Sequence, residues 1–201
     1  MIMKLRFKEW SIFILLLIAS VFTACDKKIS ETAFGNTVVY IPQAVQGGGI
    51  NNNYLVPSVL SYDTTTNNFN VDSAGNKVNV YLGVVCSGLQ QSLAGYSVTV
   101  STRSDTINQL IANGLIQVAP NASKPVVLLP SSAYSLPTSV TVPSGQCQTT
   151  FYLTINRATL KTYAGSKVAL CVVISNPTMY TLSSVNQQVI IIIDVDSLKL
   201  L

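Results

Sequence analysis

The chain has no histidine in 201 residues. That absence removes Ser-His-Asp and Cys-His nucleophile systems, the commonest general base, and the usual imidazole ligands of zinc. Tryptophan occurs once, at Trp10, within an apolar N-terminal run, so the rest of the chain has none. Glutamate occurs only at Glu9 and Glu31. A pair of glycosidase carboxylates would have to come from Asp26, Asp63, Asp72, Asp105, Asp194 and Asp196. Asp105 reads more simply as a helix cap. Asp194 and Asp196 share a strand face, but two oxygens fall short of a calcium shell. Neither G-x-S-x-G nor S-x-x-K occurs. Charged residues are 10% of the chain, against about 25% in an average globular domain. No basic stripe and no basic cluster beside aromatics is present, which argues against a nucleic-acid partner. The reading is a protein that is not an enzyme, with no catalytic residue, no metal site and no cofactor.

What is present first is an address. Lys4, Arg6 and Lys8 precede "WSIFILLLIASVF", Trp10 to Phe22. A basic start, a short apolar core and small residues (Thr23, Ala24) form a secretory signal peptide. The run of about 13 residues is short of the ~20 that span a bilayer. "FTAC" resembles the lipobox of bacterial lipoproteins, in which the thiol, here Cys25, is acylated and the chain is cut before it. Phe22 stands where that motif usually has Leu. The expected organisation is a lipoprotein signal peptide over 1–24, lipidated Cys25 with a polar tether over 25–36, and one β-sandwich domain over 37–201. The resemblance implies a stable membrane anchor through an N-terminal lipid and an outer-membrane, surface-exposed lipoprotein. Discounting Lys4, Arg6, Lys8 and Glu9 lowers the formal charge from +4 to +2.

Beyond Cys25 three cysteines remain, Cys86, Cys147 and Cys171. An odd number cannot all pair internally. The default is three free, buried thiols acting as small hydrophobes. The compartment permits a disulfide, and the sequence does not select a pair.

The rest of the chain reads as about nine strands. "NTVVYIPQAV", "LVPSVLSYD", "KVNVYLGVVCSG", "YSVTVSTRS", "KPVVLLP", "SVTVPSG", "CQTTFYLTIN", "KVALCVVISN" and "NQQVIIIIDVD" are rich in β-branched residues or alternate with period two. "TTTNNFNVDSAGN" reads as a polar turn region. One helix is predicted over "SDTINQLIANG", with Ser104 or Asp105 as N-cap and Gly114 as stop. "RATLKTYAG" reads as a single helical turn. Many short strands with regular turn signals predict an all-β, immunoglobulin-like antiparallel β-sandwich with one short helix. Four consecutive isoleucines, Ile190–Ile193, require cover on both faces. One alternate pair belongs in the main core, and the other under a loop or helix.

The order of "VVYIPQA", "LLPSSAYSLPTSVTVPSGQCQTTFYLTI" and "VALCVVISNPTMYTLSSVNQQVIIIIDV" resembles the DUF1735 family, the N-terminal immunoglobulin-like domain of Bacteroidetes surface lipoproteins. The family's pattern falls at Val39–Ile41, Leu129–Tyr134, Val140–Gly145 and Ile174–Leu182, and the match covers nearly all of the chain after the tether. The resemblance implies a binding or accessory role near glycan uptake, with a glycan or a surface protein as partner. It carries over no catalytic residue. The chain stops at Leu201, so a role carried by a C-terminal module is not transferred.

Sugar binding calls for exposed aromatic faces beside planar polar side chains. The candidates are Tyr54 with Asn52 and Asn53, and Phe69 within "TTTNNFN", because loops carry function more often than strands. Tyr134 and Tyr180 read instead as turn anchors, with a packed ring and a bonded hydroxyl. The alternative function is a structural or adhesive module that adds a strand from a protein partner at an open edge.

Overall fold

A computed structural model describes residues 37–46, 53–60, 63–88, 94–116 and 124–200. Cys25, the leader, the tether and Asn52 lie outside the described residues. The elements in order are β1 (Val38–Tyr40), α1 (Pro42–Gln46), β2 (Asn53–Val56), β3 (Val59–Leu60), β4 (Asp63–Asn67), β5 (Phe69–Asp72), β6 (Lys77–Ser87) and β7 (Tyr96–Thr102). There follow α2 (Ser104–Ala112), β8 (Val126–Leu128), β9 (Tyr134–Ser135), β10 (Ser139–Val142), β11 (Gln148–Asn156), α3 (Arg157–Lys161), β12 (Lys167–Ser175), β13 (Thr181–Leu182) and β14 (Gln188–Asp194).

Two six-stranded sheets make an all-β sandwich. The first runs β13-β1-β6-β11-β9, with β5 also on β6; the second runs β10-β7-β12-β14-β2, with β8 also on β12. The long pairings, β6 with β11 and β12 with β14, are antiparallel. Three short ones, β1–β13, β12–β8 and β14–β2, run parallel. Inward residues of β6 (Val78, Val80, Leu82, Val84) and β11 (Phe151, Leu153, Ile155) meet Val168, Leu170, Val172, Ile191 and Ile193 in one core.

The isoleucine run splits as its parity requires. Ile191 and Ile193 face the first sheet, while Ile190 and Ile192 join Ala169, Cys171 and Val173 beneath Ile107 of α2. The second sheet is therefore covered on both sides. The outer face of the first sheet is closely approached by α1 at Gly83 and is more open at Tyr152.

Several local expectations are corrected. The stretch 36–45 is not one strand: it breaks at Pro42, which opens α1, a position where its missing N–H costs nothing. Continuing the β1–β6 register would set Pro42 opposite Gly83. The Gly83 amide then lacks a ladder partner and donates instead to Gln43 Oε1 at 3.0 Å. A Cβ on Gly83 would meet Pro42 Cγ at 3.2 Å, so the close approach of α1 favours glycine. The polar stretch 64–76 is not only turn. It contains most of β4 and all of β5, where Phe69 and Val71 alternate with Asn70 and Asp72. α2 begins after Arg103, and neither Ser104 nor Asp105 caps it. Gly114 does follow its end, with φ +64°. The turn at 157 is the short helix α3, capped by Asn156, whose side chain accepts from the Thr159 amide at 2.9 Å.

Candidate ligand-binding face

The outer face of the first sheet takes its character from register. Tyr152 of β11 stands directly opposite Tyr81 of β6, so both rings leave the same face. Their centroids are 5.5 Å apart with an interplanar angle of 61°, an edge-to-face pair. Tyr152 is 45% exposed. The next cross-strand row is polar. Asn79 Nδ2 donates to Asn70 Oδ1 at 3.0 Å, and Thr154 Oγ1 donates to Asn79 Oδ1 at 2.8 Å. Ser135 of β9 lies opposite Thr154 and extends the row. The result is an aromatic platform beside a bonded rank of amides and hydroxyls. Such a surface can stack on the apolar face of a ring and bond to its hydroxyl groups, with no group placed to cleave it.

This face was not among the sequence candidates, and those candidates go elsewhere. Tyr54 is 6% exposed and its ring belongs to the core. Phe69 points inward from β5 and packs on the same core. Both were expected on loops; both are strand residues in the inward phase, so neither offers an exposed stacking surface. Asn53 is half-buried at the start of β2. The signal for Tyr81 and Tyr152 was nonetheless in the sequence: each is an aromatic in the polar phase of an alternating strand.

The turn tyrosines behave as anchors. The Tyr180 hydroxyl accepts from the Ala94 amide at 3.0 Å and donates to the Ala94 carbonyl at 3.2 Å. Its ring meets Tyr96 edge-on at 5.4 Å. Tyr134 packs on the core, and its hydroxyl donates to Thr102 Oγ1 at 3.2 Å.

Asp194 and Asp196 are bridged by a lysine. Lys124 Nζ lies 2.7 Å from Asp194 and 2.8 Å from Asp196. Asp196 opens a short 3-10 turn rather than continuing β14, and it accepts the Gly165 amide as well. Bonds from Lys124 and then Gly165 hold its carboxyl below the usual range. Burial alone would push Asp194 up, but the Lys124 bond and charge outweigh it and hold it low. Lys167 stands opposite Asp194 across the ladder, 1% exposed. Burial pushes its amine down, against the pull of Asp194. A lysine thus occupies the place a cation would take. Among the described residues no group of three or more His, Cys, Asp or Glu side chains could hold a metal ion.

The cysteines divide. Cys86 and Cys171 are buried, as expected of small hydrophobes, whereas Cys147 is exposed. The reason is position: Cys147 precedes β11, at the rim of the sandwich. An open depression of 480 Å³ there is lined by Gly145, Gln146, Cys147, Gln148, Thr149 and Thr150.

A family model for an N-terminal "-like" domain matches residues 35–181, most of the chain. The chain belongs to the DUF1735 family. This DUF1735 domain has distant structural likenesses. One is a Bacteroides ovatus protein provisionally described as carbohydrate binding, at 12% identity and TM-score 0.48, covering 78% of this chain and 36% of that one. Another is an auxiliary nutrient binding protein of Bacteroides thetaiotaomicron, at 18% and 0.45, covering 70% and 42%. A third is a multidomain protein including DUF1735 from Bacteroides ovatus, at 15% and 0.39, covering 58% and 34%. The DUF1735 chain spans about a third to two fifths of the length of these proteins. No curated protein matches it. Among the described residues of this DUF1735 chain, no helix is long and apolar enough to cross a membrane.

Proposed function

We propose that this chain is a non-catalytic binding module of a lipid-anchored envelope protein, and that it takes neutral glycans on the outer face of its first sheet. The observation that carries the reading is exposed Tyr152 against half-buried Tyr81, beside the bonded row Asn70, Asn79 and Thr154. An exposed tyrosine ring with neighbouring neutral donors and acceptors suits a ligand with one apolar face and many hydroxyls. The low charge suits an uncharged ligand. The resemblance of "FTAC" to a lipobox supports attachment through Cys25 and an outer-membrane, surface-exposed location. Mass spectrometry of the N-terminal peptide tests that part: an unmodified Cys25 or a retained Met1 would refute it.

The binding test uses the exported full chain in mild detergent on an array of neutral oligosaccharides. Tyr152→Ala should lower binding at least tenfold while leaving stability within about 0.5 kcal/mol, as for an exposed substitution. Tyr54→Ala should leave binding per folded molecule intact and cost about 3 kcal/mol, because it empties part of the core. Binding that survives Tyr152→Ala would refute the assignment to this face.

A second reading has its own observation. β13 is an edge of the first sheet among the described residues, and Met179 and Val185 near it are 45% and 67% exposed. A protein partner that adds a strand there would be lost with a proline at Leu182 and unaffected by Tyr152→Ala.

A further inference from the structure

The register of the first sheet brings two thiols together. Val85 pairs with Gln148, so the next step of the antiparallel ladder sets Cys86 opposite Cys147. The Cys86 amide donates to the Cys147 carbonyl at 2.8 Å, which holds that register one residue ahead of the start of β11. Residues opposite each other in such a bonded pair sit about 5.5 Å apart at Cα and project from the same face. A disulfide spans roughly 4.4–6.8 Å at Cα. Cys86 is on the inner face, in line with Val84 and Leu82. The turn before Cys147 closes on the residue before Tyr96, since a Cβ on Gly95 would lie 3.0 Å from the Ser144 nitrogen. Burial, and then Cys86 and Cys147, oppose ionisation of the Tyr96 phenol.

We propose that Cys86 and Cys147 are a redox site that closes to an intramolecular disulfide, fastening the β10–β11 turn to β6. Cys171 is excluded as a partner by place, since it lies on the far side of the second sheet beneath α2.

Accessibility sets the order of events. Exposed Cys147 reacts first, as a thiolate, with an oxidant that itself carries a disulfide. That oxidant is a small-molecule disulfide such as oxidised glutathione, or the disulfide form of an envelope thiol oxidoreductase. One sulfur of the oxidant bonds to Cys147, and the other leaves as a thiolate. Cys86 then gives up its proton and attacks the Cys147 sulfur, releasing the second oxidant thiol. Two protein thiols are oxidised, one oxidant disulfide is reduced to two thiols, and the protons pass to those thiols. Burial, and then the neighbouring Cys147, raise the Cys86 thiol above its ordinary range, which suits it to the second step and not the first.

The experiment equilibrates the exported full chain in a glutathione redox buffer, traps free thiols, and maps the unreduced digest by mass spectrometry. The expected result is a Cys86–Cys147 crosslink, with Cys171 trapped as a free thiol. A loop of this length should also raise the melting temperature by about 5–10 °C on oxidation. The rise should vanish in Cys147→Ser, a substitution at an exposed position that leaves the reduced protein's melting point unchanged. Glutathione retained on Cys147 with Cys86 free would overturn the proposal. So would a Cys147–Cys147 dimer or a link from Cys147 to Cys25. Glycan binding is read separately, so failure of either idea leaves the other standing.

Discussion

Tyr180 shows how much a single hydroxyl can organise. Its backbone is left-handed, with φ +71°, an uncommon state for a bulky residue. Two bonds to Ala94 and the edge of Tyr96 hold it there. Tyr180→Phe keeps the ring and removes both bonds, so it should cost about 1–2 kcal/mol in urea unfolding. An unchanged midpoint would mean that water replaces the hydroxyl without loss. The anchor role of Tyr180 was legible from its place in "NPTMYTL". Tyr54 and Phe69 stand on strands and not on loops, a placement hidden in the sequence for a common reason. Short strands flanked by Asn, Thr and Gly look like loops, and the alternation Phe69-Asn70-Val71-Asp72 was too brief to outweigh its polar surroundings. Tyr81 and Tyr152 required a pairing register, which neither strand contains alone.

At the scale of elements, the two-sided strand β14 explains why α2 exists. Ile190 and Ile192 would otherwise face water on the outside of the second sheet, and α2 covers them through Ile107. Ile107→Ala should cost about 2–4 kcal/mol, since it leaves a cavity under the helix. The parity of the isoleucine run was readable in advance because side-chain direction alternates strictly along a strand. The break at Pro42 was less readable, since it depends on how α1 fits against Gly83. At the other end of β14, Lys124 ties Asp194 to Asp196. Both carboxyls are held low and the amine is held high. The carboxylate contribution is present above the unfolded value near 4 and is lost as pH falls through the lower folded values. The lysine contribution is complete below its unfolded value near 10.5 and is lost as pH rises beyond it. The destabilisation caused by Lys124→Met should therefore be greatest between about pH 5 and pH 9. It should fade in an acid unfolding series as pH falls below about 4 and through the lower folded values. A penalty that persisted in acid would assign the lysine's role to its apolar stem.

The two faces of the sandwich differ in character, and that asymmetry makes the proposed binding testable without naming a sugar. One sheet has a second apolar layer under α2; the other exposes tyrosines, amides and hydroxyls. Residues 25–201 carry a formal charge of only +2, too little to draw a polyanion. A ligand held by stacking and neutral hydrogen bonds displaces few counterions, so its affinity should be almost independent of salt. Raising sodium chloride from about 50 to 200 mM should change affinity for a neutral oligosaccharide less than twofold, whereas six to ten phosphate-type contacts would lose about 10³–10⁵. Isothermal titration at two salt concentrations measures this directly. A steep fall would point to an acidic ligand met by Lys77, which opens β6 opposite Asp72 of β5. In that case Lys77→Gln, and not Tyr152→Ala, would abolish binding.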